Sequence, residues 1–221
     1  MYGTANRRNI FYAARRINKL APIIVRKPFM KVYLIRHTAV RVNQICYGAS
    51  DVELAETAEA DIARVKQKLE SIVTSSEARG MQFFTSPLQR CYRLASTLSS
   101  HITSDARLAE LNFGAWEMQP WNSIPRDAVD YWLADFVHLP PGKNGEPFQN
   151  LMNRVLEFWN SIPREQPGPY VIVTHGGVIR ALICHLLEIP LKNAFQLEID
   201  FGSITAVYAR HDKFQVKFLN H

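Results

Sequence analysis

Lys31-Val-Tyr-Leu-Ile-Arg-His-Thr38 is the stretch that decides the fold. Val32 to Ile35 is a short apolar run of β-formers bounded by polar residues, which reads as a buried strand. Arg36 and His37 follow at once. In an open α/β sheet the ligand crevice lies outside the carboxyl ends of the strands, so these two side chains stand where chemistry is expected. The arrangement recurs downstream. Tyr170-Val-Ile-Val-Thr174 is a second apolar strand, followed by His175-Gly-Gly177. Met81-Gln-Phe-Phe-Thr85 is a third, followed by Ser86-Pro-Leu-Gln-Arg90. Three strand ends thus deliver two histidines and two arginines, residue types suited to holding a phosphoryl group.

Working outward, residues 56–73 read as an amphipathic helix whose core face carries Ile62, Val65, Leu69 and Ile72. A helix should follow the third strand, with Ser86 as its N-cap, Pro87 in the first helical position and Gln89 completing a capping box. Its apolar face is Leu88, Cys91, Ala95 and Leu98. Arg90 falls in the first turn, where a cation is unfavourable beside the helix N-terminus unless an anion lies between them. The stretch from His175 to Glu188 reads as a helix that stops near Pro190. Gly176 and Gly177 at its start would let backbone N–H groups approach an anion. Two further strands are expected at 203–209 and 214–218. All four tryptophans (Trp116, Trp121, Trp132 and Trp159) fall between Ala115 and Ser161. Residues 117–160 read as a helical insertion partly roofing the crevice, with Pro140 to Pro147 as a mobile loop. Its aromatics either stack on a flat base or fill a satellite core. Strands alternating with helices predict an α/β fold, a three-layer α/β/α sandwich with a mostly parallel sheet.

The 221 residues are enough for one domain with a sizeable core, and 47% hydrophobic with 21% charged is the balance of a soluble globular protein. The net charge of +6 first suggests nucleic acid or membrane. Its distribution argues otherwise. Residues 1–29 carry seven Lys or Arg and no acid, leaving 19 basic against 20 acidic residues in the remainder. Three readings of that segment stay open: an extension ahead of a natural start at Met30, a transit segment, or a basic arm touching nucleic acid or anionic lipid. Cys46, Cys91 and Cys184 are widely spaced without a C-x-x-C pair, which fits a reducing, cytoplasmic setting. No apolar run approaches the length of a membrane span.

Leu34-Ile-Arg-His-Thr38, Ser86-Pro-Leu-Gln-Arg90, Glu110 ahead of Phe113-Gly-Ala-Trp-Glu117, and Thr174-His-Gly-Gly177 together resemble the histidine phosphatase (phosphoglycerate mutase-like) superfamily. Within it, Thr38-Ala-Val40 and Cys46-Tyr-Gly-Ala-Ser-Asp-Val-Glu-Leu54 are most similar to α-ribazole phosphatases of cobalamin biosynthesis. The resemblance runs from about Met30 to the C-terminus. It implies a cofactor-independent phosphomonoesterase with a phosphohistidine intermediate, acting on α-ribazole 5′-phosphate. His37 would be the nucleophile, Arg36 and Arg90 would neutralise the phosphate, and His175 would stabilise the transferring group. Glu110 would be the general acid and base, with Glu117 as the competing carboxylate. Asn43, six residues after His37, matches a phosphate-contacting asparagine. Tyr47, Gly48, Gly176 and Ser203 are expected to border the substrate.

Rival readings stay in play. A phosphoglycerate mutase would usually have glycine where Thr38 stands. A broad sugar-phosphate phosphatase would share every catalytic residue, and a non-catalytic binding relative would not need the full set. A metal could use His37, His175 and a carboxylate, but Arg36 and Arg90 would crowd a cation; no metal or cofactor is expected. His101, His138, His185, His211 and His221 have no motif around them and read as ordinary residues. The expected partner is a small phosphomonoester, with no nucleic acid and no membrane span. The oligomeric state is open, a homodimer included.

Overall fold

Val32, Tyr33, Leu34 and Ile35 are all buried because the strand that carries them is an inner one. A computed structural model describes residues 30–163, 168–210 and 213–221. The readings of residues 1–29 and of His211 lie outside the described residues.

Six strands form one sheet: β1 (Met30–Arg36), β2 (Gln82–Thr85), β3 (Ile102–Ser104), β4 (Tyr170–Thr174), β5 (Ile204–Arg210) and β6 (Lys213–Phe218), in the order β3-β2-β4-β1-β5-β6. The pairs β1–β4, β2–β4 and β2–β3 are parallel, whereas β5 runs antiparallel to both β1 and β6. Register aligns Arg36 with Thr174, so the residues after β1 and β4 emerge side by side.

The period-two alternation of β1 sorts its side chains between two layers. Tyr33 and Ile35 share a core with Ile62, Val65 and Leu69 of α1 (Ala58–Ile72) and with Cys91, Leu94 and Ala95 of α3 (Gln89–Leu98). A short α2 (Ser75–Ala78) lies between those two helices in the chain. Val32 and Leu34 share the other core with α4 (Arg126–Ala134), α5 (Phe148–Ser161) and α6 (Gly176–Leu186). The helix after β1 thus covers one face and the helix after β4 covers the other. The β1/β4 boundary is a topological switch point, and a crevice is expected to open there.

Three expectations need correction. Residues 148–160 do not roof the crevice. Phe148, Leu151, Val155, Phe158 and Trp159 form one buried stripe that packs with α6 and the sheet. Nor is the Pro140–Pro147 segment loose: Glu146 pairs with Arg154, its N–H donates to the Asn112 carbonyl, and the Lys143 carbonyl accepts from Ala115. Ser86 does not cap α3, which begins at Gln89 with Leu88 in the cap position and no side-chain cap bond. The Ser86 hydroxyl accepts from the Leu88 N–H ahead of the helix, at 3.3 Å, and bonds a histidine ring at 2.7 Å. A reciprocal capping box does occur, but at Thr74 and Glu77 ahead of α2.

Candidate active site

Backbone hydrogen bonds lock the strand ends together before any side chain is considered. The N–H of His37 donates to the Thr174 carbonyl, that of Ser86 to Val173, and that of Arg36 to Ser203. Gly202 donates to the carbonyls of both Arg36 and His37. These bonds bring His37, His175, Arg36 and Ser86 to one place although Arg36 and His175 lie 139 positions apart in the chain.

The two histidine rings lie 5.2 Å apart, edge to face, and both are buried. His37 Nδ1 is 2.8 Å from the Thr38 carbonyl, which can only accept, so Nδ1 carries the proton and Nε2 keeps its lone pair. His175 Nε2 is 2.7 Å from the Ser86 hydroxyl, and the Cys91 thiol packs against the same ring. Burial first, then the charge of Arg90, hold His37 well below the usual histidine range. The bond to the Thr38 carbonyl works the other way and is outweighed. His175 is pushed down likewise by burial, then by His37, Arg90 and Arg36. Both imidazoles are neutral near pH 7.

Arg90 is completely buried. Its guanidinium donates to the Ser50 carbonyl at 2.8 Å and to the Gly48 carbonyl, and Asp51 comes no closer than 3.9 Å. Arg36 donates to the Ile199 carbonyl and stacks 3.8 Å over the Phe201 ring. Two cations therefore stand here with carbonyls, not carboxylates, as direct partners. Among the described residues, five buried side-chain polar atoms are left without a partner, and four of them, Arg36 Nε, Arg90 Nε, Thr38 Oγ1 and Ser203 Oγ, belong to this cluster or its immediate chain neighbours, the fifth being Trp132 Nε1 in the core. Unpaired buried donors of this kind ask for an acceptor, and two guanidiniums ask for an anion.

Glu110 is half-buried and faces the N-terminus of α6, accepting from the N–H of Gly177 at 3.1 Å and from Leu111 at 2.9 Å. A Cβ on residue 177 would come within 2.3 Å of Glu110 Oε1, so only glycine admits the carboxylate there. Thr174 and Arg154 hold the segment that presents Glu110. Thr174 donates to the Leu108 carbonyl, and Arg154 donates to those of Arg107, Ala109 and Glu110 while pairing with Glu146.

The remaining expected residues divide. Tyr47 is half-buried with its ring 5.4 Å from Arg90, and burial raises its phenol. Gly48 is packed so closely that an added Cβ would collide with the Leu111 carbonyl. Gly176 lies against the guanidiniums of Arg180 and Arg36, and Ser203 is buried at the start of β5. Asn43 is not brought in: it is exposed on the loop and shares no hydrogen bond with the cluster. Glu117 is the wrong carboxylate for proton transfer, because its oxygens are occupied by the N–H groups of Gly48, Ala49, Ser50 and Phe113. Three of the four tryptophans, Trp116, Trp132 and Trp159, are buried core, whereas Trp121 stays partly exposed against Phe113. Sequence reasoning missed Ser86 as a histidine partner, Arg154 as a clamp, and Phe201 and Arg180 at the rim. Among the described residues no group of three His, Cys, Asp or Glu could hold a metal ion, and no helix is long and apolar enough to cross a membrane.

Residues 32–221 match the histidine phosphatase superfamily, branch 1. The putative phosphoserine phosphatase 2 of Hydrogenobacter thermophilus is 28% identical over 206 residues, covering 86% of this chain and 95% of that protein. The adenosylcobalamin/α-ribazole phosphatase of Escherichia coli K12 is 27% identical over 191 residues, covering 80% and 89%. The crystal structure of the α-ribazole phosphatase from Shigella flexneri superposes with a TM-score of 0.76 at 25% identity, covering 87% of this chain and 96% of that one. The chain belongs to the histidine phosphatase superfamily.

Proposed function

We propose that this phosphoric monoester hydrolase of the histidine phosphatase superfamily transfers the phosphoryl group of its substrate to His37 and then to water. The observation that carries the reading is the pairing of a neutral His37, its Nε2 lone pair unprotonated, with the buried Arg90 and half-buried Arg36 guanidiniums, whose direct hydrogen-bond partners are carbonyls and not carboxylates. A phosphomonoester dianion fits that charge balance. Arg36 and Arg90 hold its oxygens and reduce the repulsion a nucleophile would meet. Nε2 of His37 attacks phosphorus in line, and the ester P–O bond breaks. Glu110 gives its proton to the departing alkoxide. It then takes a proton from water, whose oxygen attacks the phosphohistidine; the N–P bond breaks and inorganic phosphate is formed. His175 donates toward the equatorial oxygens, where charge spreads during transfer.

The substrate we favour is α-ribazole 5′-phosphate. The Cys46–Leu54 stretch supports it, as does the kinship with α-ribazole phosphatases. So do the aromatic faces at the rim: Phe201 is 43% exposed with its ring 5.3 Å from His37, and Tyr47 flanks Arg90. A flat base suits such walls. One observation favours a second reading. Arg180 sits beside Gly176, donates only through Nε to the Leu197 carbonyl, and has no ion pair among the described residues. A third guanidinium at the mouth suits a leaving group that carries a carboxylate, as phosphoserine does.

The test is kcat/KM in EDTA for α-ribazole 5′-phosphate beside phosphoserine, 3-phosphoglycerate and a simple sugar phosphate, with acid-quench trapping of labelled enzyme. Preference for α-ribazole phosphate with acid-labile label on His37 is the expected result. Preference for phosphoserine, reduced in Arg180→Met, replaces the substrate and keeps the chemistry. An enzyme that turns over without ever carrying label on His37 overturns the chemistry itself.

A further inference from the structure

Glu117 belongs to the trailing Phe113-Gly-Ala-Trp-Glu117 signature, yet it takes no part in the chemistry above. Its carboxylate accepts four backbone hydrogen bonds, from Gly48, Ala49, Ser50 and Phe113, at 2.9 to 3.1 Å. Burial works against its charge, but the Phe113 N–H, the Ser50 side chain and the N–H groups of Gly48 and Ser50 outweigh it and hold the carboxyl below the usual carboxylate range.

The loop that Glu117 grips is the loop that grips Arg90. Arg90 donates to the carbonyls of Gly48 and Ser50. In a trans peptide the C=O and N–H point in opposite directions. The single peptide unit joining Gly48 to Ala49 therefore has its carbonyl on the Arg90 guanidinium and its N–H on Glu117 Oε1. A negative charge at the hydrogen end and a positive charge at the oxygen end polarise that unit in the same sense. Arg90 has no nearer anion than Asp51 at 3.9 Å, and Asp51 is partly exposed. The geometry leaves Glu117 as the counter-ion of Arg90 at one remove.

We infer that Glu117 is a positioning residue for phosphoryl transfer, which aims the buried Arg90 guanidinium at the phosphate through the Gly48–Ala49 peptide. The inference rests on the reading of Arg90 as a phosphate ligand. The gain is directional. A carboxylate bonded directly to Arg90 would compete with the substrate for its donors, whereas one acting through a peptide holds the loop carbonyls in place and leaves Nε to the substrate.

The test is a double-mutant cycle on the full chain, read as the competitive Ki of inorganic phosphate and as KM and kcat separately. Glu117→Gln keeps the size but removes the charge and one acceptor. It should raise the phosphate Ki and KM together by about tenfold, the scale of losing a charge-assisted hydrogen bond, with a much smaller change in kcat. In an Arg90→Ala background the same substitution should change Ki hardly at all, because the group it acts through is gone. Glu117→Asp keeps the charge on a shorter arm and should recover part of the affinity; it replaces the amide variant in the cycle if that variant does not fold. Thr74→Ala, which breaks the remote capping box, should lower thermal stability without moving Ki and so calibrates a purely structural loss. Wild-type phosphate affinity in the folded Glu117 variant, or an equal loss with and without Arg90, overturns the inference. Unchanged phosphate affinity in Arg90→Ala alone would instead overturn the phosphate site itself.

Discussion

The two histidines that end β1 and β4 are near copies in sequence and opposites in attachment. His37 is held by backbone, its Nδ1 proton fixed on the Thr38 carbonyl, and among the described residues no hydrogen bond occupies Nε2. His175 is held by side chains, with Ser86 and Cys91 against its ring. A backbone carbonyl is a fixed acceptor and specifies one tautomer, which suits a group that must attack. A hydroxyl both donates and accepts and can follow a change of charge, which suits a group that must stabilise. Similar strand ends thus acquire different duties from their first hydrogen-bond partner.

That contrast can be broken most severely at the nucleophile. His37→Ala should lower kcat on the order of 10⁴-fold or more and abolish acid-labile labelling. His175→Asn should cost about 10²- to 10³-fold in kcat, the usual loss when a donor to developing charge is removed. It should still form labelled His37, only slowly, in rapid-quench experiments. A variant at 175 that lost labelling altogether would mean the two duties are shared.

Acid titration tests what the pair has in common. Both folded values lie below the unfolded value of about 6.5, so the unfolded chain binds protons first. The stability this protects is complete above that pH. It falls as the pH drops from there toward the folded values, by up to about 1.4 kcal/mol per pH unit for each ring. Denaturant unfolding between pH 7 and pH 5 measures it, and His37→Asn should remove one ring's share of the slope. The mildest test is Ser86→Ala. It should lower kcat by roughly three- to tenfold with a loss of stability of about 1 kcal/mol, because the hydroxyl that orients His175 also accepts a long hydrogen bond from the Leu88 N–H. No change would mean that packing by Cys91 alone sets the ring.

The strand ends were legible because their signals are local. An apolar run of β-formers, a stop, and then Arg-His or His-Gly-Gly can be read within ten residues, and the observed strands begin and end close to where that pattern places them. The partners were not legible, because they come from tertiary structure. Ser86 presents every mark of an N-cap in sequence, yet besides the Leu88 N–H its hydroxyl bonds a ring 89 residues away, and the helix starts later with a leucine in the cap position. Arg154 sits on an amphipathic helix like any other polar residue, and only the fold shows that its guanidinium collects three carbonyls of the Glu110 segment. The roof over the crevice misled for the same reason: composition marks a dense aromatic region, whose core-filling reading holds for Trp116, Trp132 and Trp159, but does not say which face of α5 meets the sheet.

The backbone pairing between the loop after β1 and the segment after Glu110 carries a consequence for engineering. Cys46 and Met118 through Trp121 exchange hydrogen bonds like a short ladder, with Gln44 taking the Trp121 N–H and Ile45 bridged to Pro120. Two stretches some seventy positions apart are therefore one transplantable part. Chimeras with relatives should exchange residues 38–54 and 110–121 as a matched pair, since a graft of either alone sets a foreign register against the native one.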